Sequence, residues 1–261
     1  MRKTTTMLVM AVVFILVGCS KGDNTPKYKI NEEALITNFD KDFQFLIEGD
    51  PADVTWSSSD EWVGTIDETG LFEASKIGNT TITATIQGAT VKSEVTVESY
   101  NEMFIEPYAD YGSSKEAIKA KESRQIAGED AEAILYVGEN TDLSNVMYLF
   151  TNDKMDGAAA VFGSDDSKME QVLRFYLERY EFLGTSDNVG IFDNGISNLL
   201  VGLTAELGWV ALYSKSEMST SQPQSLVKKE FDFNALKKSL NGAKETTLND
   251  LRVLDINKAL R

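Results

Sequence analysis

Tyr108, Tyr111, Trp209 and Tyr213 are the aromatic residues best placed to meet a ring-shaped ligand, two ahead of the first expected helix and two on the last expected strand. Rings stacked on an exposed sheet would suit a glycan, whereas rings turned inward would fill the space between helices and sheet. Acid–base chemistry would have to come from carboxylates, because the chain holds 41 Asp and Glu and no histidine. One carboxylic acid and one carboxylate suffice to hydrolyse a glycosidic bond. With so many acidic residues, however, pairing alone assigns no activity. Asn152-Asp153-Lys154-Met155-Asp156-Gly157 and Asp165-Asp166 gather oxygen atoms of the kind Ca²⁺ prefers. Neither has the Asp/Asn alternation and closing Glu of the helix-loop-helix calcium site, and both read as tight turns. The one thiol, Cys19, excludes an internal disulfide, and without imidazole no histidine relay or histidine metal ligand exists. No catalytic residue, metal or cofactor is expected.

A serine nucleophile is the remaining option. Ser225-Leu226-Val227-Lys228 and Ser186-Asp187-Asn188 resemble two of the three elements of penicillin-recognising enzymes. The third, Lys-Thr-Gly, is absent, the two occur in reverse order, and Ser225 falls in a linker. The match is read as coincidence.

The position of Cys19 is more informative. Arg2 and Lys3 precede an apolar run from Met7 to Val17, which has the form of a signal-peptide core. Crossing a bilayer takes about 20 apolar residues, and Ser20, Lys21 and Asp23 end this run early. Leu16-Val17-Gly18-Cys19 resembles the lipobox of bacterial lipoproteins. That resemblance implies removal of residues 1–18, lipid attachment at Cys19 and a membrane partner reached through acyl chains, each buried methylene adding about 0.8 kcal/mol. Residues 19–27 read as a lipidated tether, and Ser20-Lys21-Gly22-Asp23 resembles the charged stretch after the lipid cysteine in Bacteroidetes lipoproteins, implying outer-membrane attachment and surface display.

The exported part is acidic. The whole chain carries 25 basic against 41 acidic residues. No basic stripe interrupts that balance, so a nucleic-acid partner is excluded.

Residues 28–99 alternate apolar and polar side chains in short runs near 43–48, 53–57, 62–66, 71–75, 79–87 and 90–97, the pattern of an all-β sandwich. Ile82, Ala84 and Ile86 should face the core opposite Val91, Val95 and Val97, with Gly88 in the turn. Val54-Thr55-Trp56-Ser57, Ile66-Asp67, Gly70-Leu71-Phe72-Glu73-Ala74 and Thr80–Thr85 resemble the group 2 bacterial immunoglobulin-like (Ig-like) domain. The resemblance implies a sandwich with Trp56 inside and a spacer or adhesive role.

Helical spacing first appears in residues 104–215. Ser113-Ser114-Lys115-Glu116 predicts a capped helix to about Arg124, and Ser167-Lys168-Met169-Glu170 predicts a second, with Met169, Val172, Leu173, Tyr176, Leu177 and Tyr180 on one face. Three strand-like runs follow each helix, near 132–138, 145–151 and 157–163, then 188–193, 198–205 and 208–215. The expected fold is therefore an Ig-like sandwich plus an α+β domain of two αβββ units, an antiparallel sheet with both helices on one face. Phe104-Ile105-Glu106-Pro107-Tyr108 and Phe175–Tyr180, placed after the Ig-like module, resemble uncharacterised Bacteroidetes surface lipoproteins. Residues 216–261 read as a linker and helical tail, with Phe231, Phe233, Leu236 and Leu240, then Leu248, Leu251 and Leu254, as apolar positions. The expectation is a non-enzymatic surface lipoprotein whose Ig-like stalk presents a module for a glycan, envelope or host protein. The alternatives are a carboxylate-dependent polysaccharide-active enzyme and a structural subunit of an envelope assembly.

Overall fold

The computed structural model describes residues 28–217 except 50, 101, 187–188 and 205–206. The leader, Cys19, the tether, the Asp187-Asn188 pair, Ser225, Lys228 and the C-terminal tail lie outside the described residues.

The first domain contains β1 (Ala34–Asn38), β2 (Asp42–Gln44), β3 (Val54–Ser58), β4 (Gly64–Ile66), β5 (Leu71–Ala74), β6 (Gly78–Ile86) and β7 (Ala89–Glu98). Two sheets, ordered β1-β7-β6-β3 and β2-β5-β4, enclose one core of Phe45, Phe72, Ile82, Ala84, Ile86, Val95 and Val97. The predicted alternation holds: Ile82, Ala84 and Ile86 are fully buried, while Thr81, Thr83 and Thr85 are not. Gln87 and Gly88 both take positive φ, 50° and 83°, the two-residue turn whose twist matches its flanking strands. Trp56 packs against the core beside Phe45, and a Cβ on Gly70 would come 3.0 Å from its ring. The strand absent from the sequence reading, β1, is an edge strand running parallel to β7 with Ile36 68% exposed, so it lacks the buried alternation that reveals its neighbours.

The second domain contains α1 (Lys115–Lys121), β8 (Ile126–Glu129), β9 (Ala133–Val137), β10 (Asn145–Thr151), β11 (Lys154–Gly163), α2 (Met169–Leu177), β12 (Glu181–Ser186), β13 (Val189–Asp193), β14 (Ser197–Thr204) and β15 (Gly208–Lys215). The units are thus αββββ, correcting the three strands expected of each; β8 and β12 complete them. Corresponding elements start 52 to 56 residues apart, the extremes being Asn145 and Ser197 at 52 and Ala133 and Val189 at 56. The eight-stranded antiparallel sheet runs β12-β13-β14-β15-β11-β10-β9-β8. Each unit is a meander, and the two last strands, β11 and β15, pair antiparallel at the centre with Ala160 opposite Ala211. The result is a pseudo-two-fold sheet that is mostly β, with helices of only 7 and 9 residues.

Both helices feed one core cluster, in which Ile118, Val172, Leu173 and Tyr176 meet Tyr136, Tyr148, Val201, Trp209 and Tyr213 from the sheet. Local details differ from expectation. The first cap is Ser114, whose side chain accepts from Ala117 N, so Ser113 is not the cap and Glu116 does not close a capping box. That helix ends at Lys121, where the backbone of Glu122 turns extended (φ −74°, ψ 127°), and the Arg124 side chain, 4% exposed, then turns in to Glu122 at 2.7 Å and Glu139 at 2.6 Å. Before α2, Ser167 bonds Asp165 in a short 3₁₀ turn over Asp166–Lys168, and Lys168 at the cap makes no side-chain capping bond.

Candidate functional site: the joint and cleft between the domains

The segment after β7 does not hang free between the domains. Tyr100 N donates to Glu178 Oε1 at 3.0 Å in the second domain, and Tyr100 Oη donates to Asp40 Oδ1 at 2.6 Å in the first. Ile77 N donates to the Glu178 carbonyl at 2.9 Å, and Lys76 Nζ lies 3.7 Å from Glu181 Oε2. Phe39 packs against both cores, and the Arg174 guanidinium lies 5.1 Å from the Tyr100 ring centroid. Desolvation lowers the pKa of the Lys76 ammonium, with Glu181 opposing it, and raises that of the buried Glu178 carboxyl, with the Tyr100 N–H and Arg179 opposing it. Partial burial and then the Asp40 hydrogen bond push the Tyr100 phenol up to about 12.

The following residues strap the second domain. Phe104 stacks on Phe175 with centroids 4.4 Å apart, Asn140 Nδ2 donates to Met103 O at 2.6 Å, Glu139 Oε1 accepts from Ile105 N at 2.6 Å, and Tyr148 Oη accepts from Tyr108 N at 3.0 Å. Arg124 also donates to the Ile105 carbonyl. Farther along, Glu106 accepts from Tyr180 Oη at 2.8 Å, and Tyr176 and Tyr213 share a hydrogen bond of 2.7 Å. The Glu106 side chain is 26% exposed, yet desolvation still raises its pKa, opposed by Tyr180, Arg179 and Tyr213.

Beside the joint lies a cleft of about 660 Å³. Its polar lining comes from Asn79, Thr96, Glu98 and Glu102, with Arg179 at one side and the Tyr100 ring, 38% exposed, at another. Thr96 Oγ1 donates to Asn79 Oδ1 at 2.9 Å, which orients the amide. Hydrogen-bonding side chains around one partly exposed ring can bind a polar ligand such as a sugar or a peptide loop, and domain junctions are a usual place for such sites. Among the described residues, neither a thiol nor an imidazole lines the cleft.

The four aromatics singled out in the sequence do not assemble into a stacking surface. Trp209 is fully buried and Tyr213 is 3% exposed, both on the helix-facing side of β15. Tyr111 is half-buried with Oη 2.7 Å from Ser197 Oγ, and Tyr108, 36% exposed, donates from Oη to the Lys121 carbonyl at 3.1 Å. Inward packing, the second of the two readings, describes Trp209 and Tyr213. Asn152 and Asp153 form the two-residue turn between β10 and β11, with φ of 51° and 59°, and Asp156 accepts from Thr151. Among the described residues, no group of three or more Asp, Glu or Cys converges in a way that could hold a metal ion.

Sequence reasoning missed Tyr100, Glu178 and the cleft. One signal was present: Phe175 lies off the apolar stripe of α2 and is nevertheless buried, marking a second covered face of that helix where Phe104 and the joint sit.

The N-terminal sandwich is a bacterial Ig-like domain: residues 28–97 match the family described as bacterial Ig-like domain (group 2). Among solved structures, the chain is similar to the structure of the S-layer protein SbsC, domains 5-6, at 11% identity, covering 73% of this chain and 83% of that chain with a TM-score of 0.23. No curated protein matches. Among the described residues, no helix is long and apolar enough to cross a membrane.

Proposed function

We propose that this chain is a bacterial surface lipoprotein, anchored through Cys19 to the outer membrane, that binds a glycan or an envelope or host protein without catalysing a reaction. The carrying observation is the joint: Tyr100 bonds one domain through its backbone and the other through its phenol, so the Ig-like module holds its neighbour in a set orientation. A spacer with that property keeps a binding surface at a defined distance and angle from the membrane. The ligand surface in this reading is the polar cleft beside the joint, open enough for a chain-like ligand and lined by Asn79, Thr96 and Tyr100. The leader and Leu16-Val17-Gly18-Cys19 supply the address.

Two measurements test it. Cys19→Ser should abolish processing and labelling by radioactive palmitate; continued maturation and membrane retention would remove the anchor from the reading. The soluble chain from residue 20 onward should bind on glycan arrays or capture an envelope protein, with Asn79→Ala and Glu102→Ala each reducing binding about tenfold, the loss of one or two polar contacts. Binding unaffected by both substitutions would place the ligand elsewhere.

A further inference from the structure

Within the sheet the two αββββ units join through β11 and β15. On the helix-covered face they share a second junction, residues 103–111, which precede α1 and belong to neither unit. Contacts along this strap go to the two units in turn. Asn140 of the first unit donates from Nδ2 to Met103 O at 2.6 Å. Phe104 stacks on Phe175 of the second unit with centroids 4.4 Å apart and meets Phe162 of the first edge-to-face at 5.3 Å. Ile105 returns to the first unit, its N–H donating to Glu139 Oε1 at 2.6 Å and its carbonyl accepting from Arg124. Glu106 goes to the second, accepting from Tyr180 Oη at 2.8 Å. Tyr108 is again on the first, through Tyr148 Oη and the Lys121 carbonyl, and Tyr111 is on the second, with Oη 2.7 Å from Ser197 Oγ.

This order has a mechanical consequence. Adjacent Cα atoms are about 3.8 Å apart, so the backbone at Glu106 leaves the second unit only if Ile105 also leaves the first. Departure uncovers Met103 and Phe104, 5% and 8% exposed, and leaves Arg124, with its side chain 4% exposed, without the Ile105 carbonyl. Both units bear that loss. The head of the strap also belongs to the cleft, since Tyr100 and Glu102 line it, as does Arg179, which lies 3.9 Å from Glu106.

We propose that residues 103–111 are a latch on the duplicated domain: they leave both units in one step, and leaving opens the seam between the units and takes away one wall of the cleft. The Ig-like domain, attached at the head of the latch, is thereby coupled to the integrity of its neighbour. This coupling holds whatever the cleft binds, so it is tested on the full chain without ligand.

Hydrogen exchange followed by mass spectrometry separates one latch from a set of independent contacts. Tyr180→Phe cuts a contact on the second unit alone. It should nevertheless speed exchange about fivefold in residues 138–144 of the first unit, the factor for one lost hydrogen bond. There the Gly138 N–H donates to Ser144 O and the Ser144 N–H to Val161 O. Glu139→Ala cuts a contact on the first unit and should speed exchange by a similar factor in residues 178–182 of the second, where the Arg179 and Tyr180 N–H groups donate to Tyr176 O. Acceleration confined to the substituted unit, or none, would overturn the latch. So would equal acceleration at both places in Val189→Ala, a cavity in the cluster on the other face of the sheet, because general loss of stability would then account for the result. If Tyr180→Phe does not fold, Ser197→Ala, which deletes the hydroxyl beside Tyr111, is read in the same way.

Discussion

The Tyr100 backbone N–H donates to Glu178 Oε1 at 3.0 Å, joining the exit of the Ig-like domain to the residue that closes the last turn of α2. Glu178 serves three partners, because its backbone carbonyl accepts from Ile77 and its other carboxylate oxygen accepts from Arg179 at 3.2 Å. One buried residue therefore couples the strand end, the helix end and the linker.

Glu178→Ala should consequently loosen the joint while leaving each domain folded. The substitution leaves the part-buried Tyr100 N–H without its acceptor, a loss of about 1 kcal/mol. Small-angle scattering should show a broader distribution of domain separations in the variant than in the wild type. An unchanged profile would mean that Phe39 and the Lys76–Glu181 pair hold the joint by themselves.

Trp209 offers a direct choice between packing and ligand contact. It is fully buried on β15, so Trp209→Ala should cost about 3–5 kcal/mol of folding stability. Urea denaturation measures this. A loss of ligand capture with the urea midpoint unchanged would contradict the packing role.

Gly208 opens β15 at φ 75°, and a Cβ there would come 2.4 Å from the Gly163 carbonyl carbon on β11. Both strands are central, so the backbone has nowhere to retreat. Gly208→Ala should cost at least about 1–2 kcal/mol from the left-handed backbone alone, with the steric overlap adding to it. The midpoint of thermal unfolding should fall accordingly, and Gly88→Ala is a useful comparison, because its φ is also positive but a Cβ there meets nothing within 4 Å.

Glu106 sets a pH dependence with a definite sign. Burial raises its folded pKa above the ordinary 4.5, so the folded state prefers the protonated acid. That contribution is fully present below 4.5 and is lost as pH rises through the folded pKa. Glu106→Gln keeps a neutral side chain at every pH. The difference in urea midpoint between variant and wild type should therefore widen in the variant's favour as pH increases from 4.5, and a constant difference would count against this assignment.

The β6–β7 hairpin was legible from residues alone because one face is buried, which imposes strict alternation on Ile82, Ala84 and Ile86. The six strands named in the second domain were legible for a related reason, since they occupy the middle of the sheet or pair with it closely. The two that escaped, β8 and β12, are its borders. Ile126 on β8 is 44% exposed, and each strand carries an internal glycine, Gly128 or Gly184, that interrupts any period. Ser114 shows a finer limit, because two adjacent serines offer the same capping chemistry and only the path of the backbone selects one. The joint was beyond local pattern altogether. Lys76, Tyr100 and Glu178 come from a turn, a linker and a helix end, and no sequence spacing records their meeting.

Those two bordering strands share a further property. Register breaks between Ile126 and Gly128 on one side and between Phe182 and Gly184 on the other. An extra residue at such a point bends the strand and spoils the regular row of N–H and C=O groups that a neighbouring molecule would need. At both rims of the sheet the broken row makes edge-to-edge pairing with a neighbouring strand less favourable.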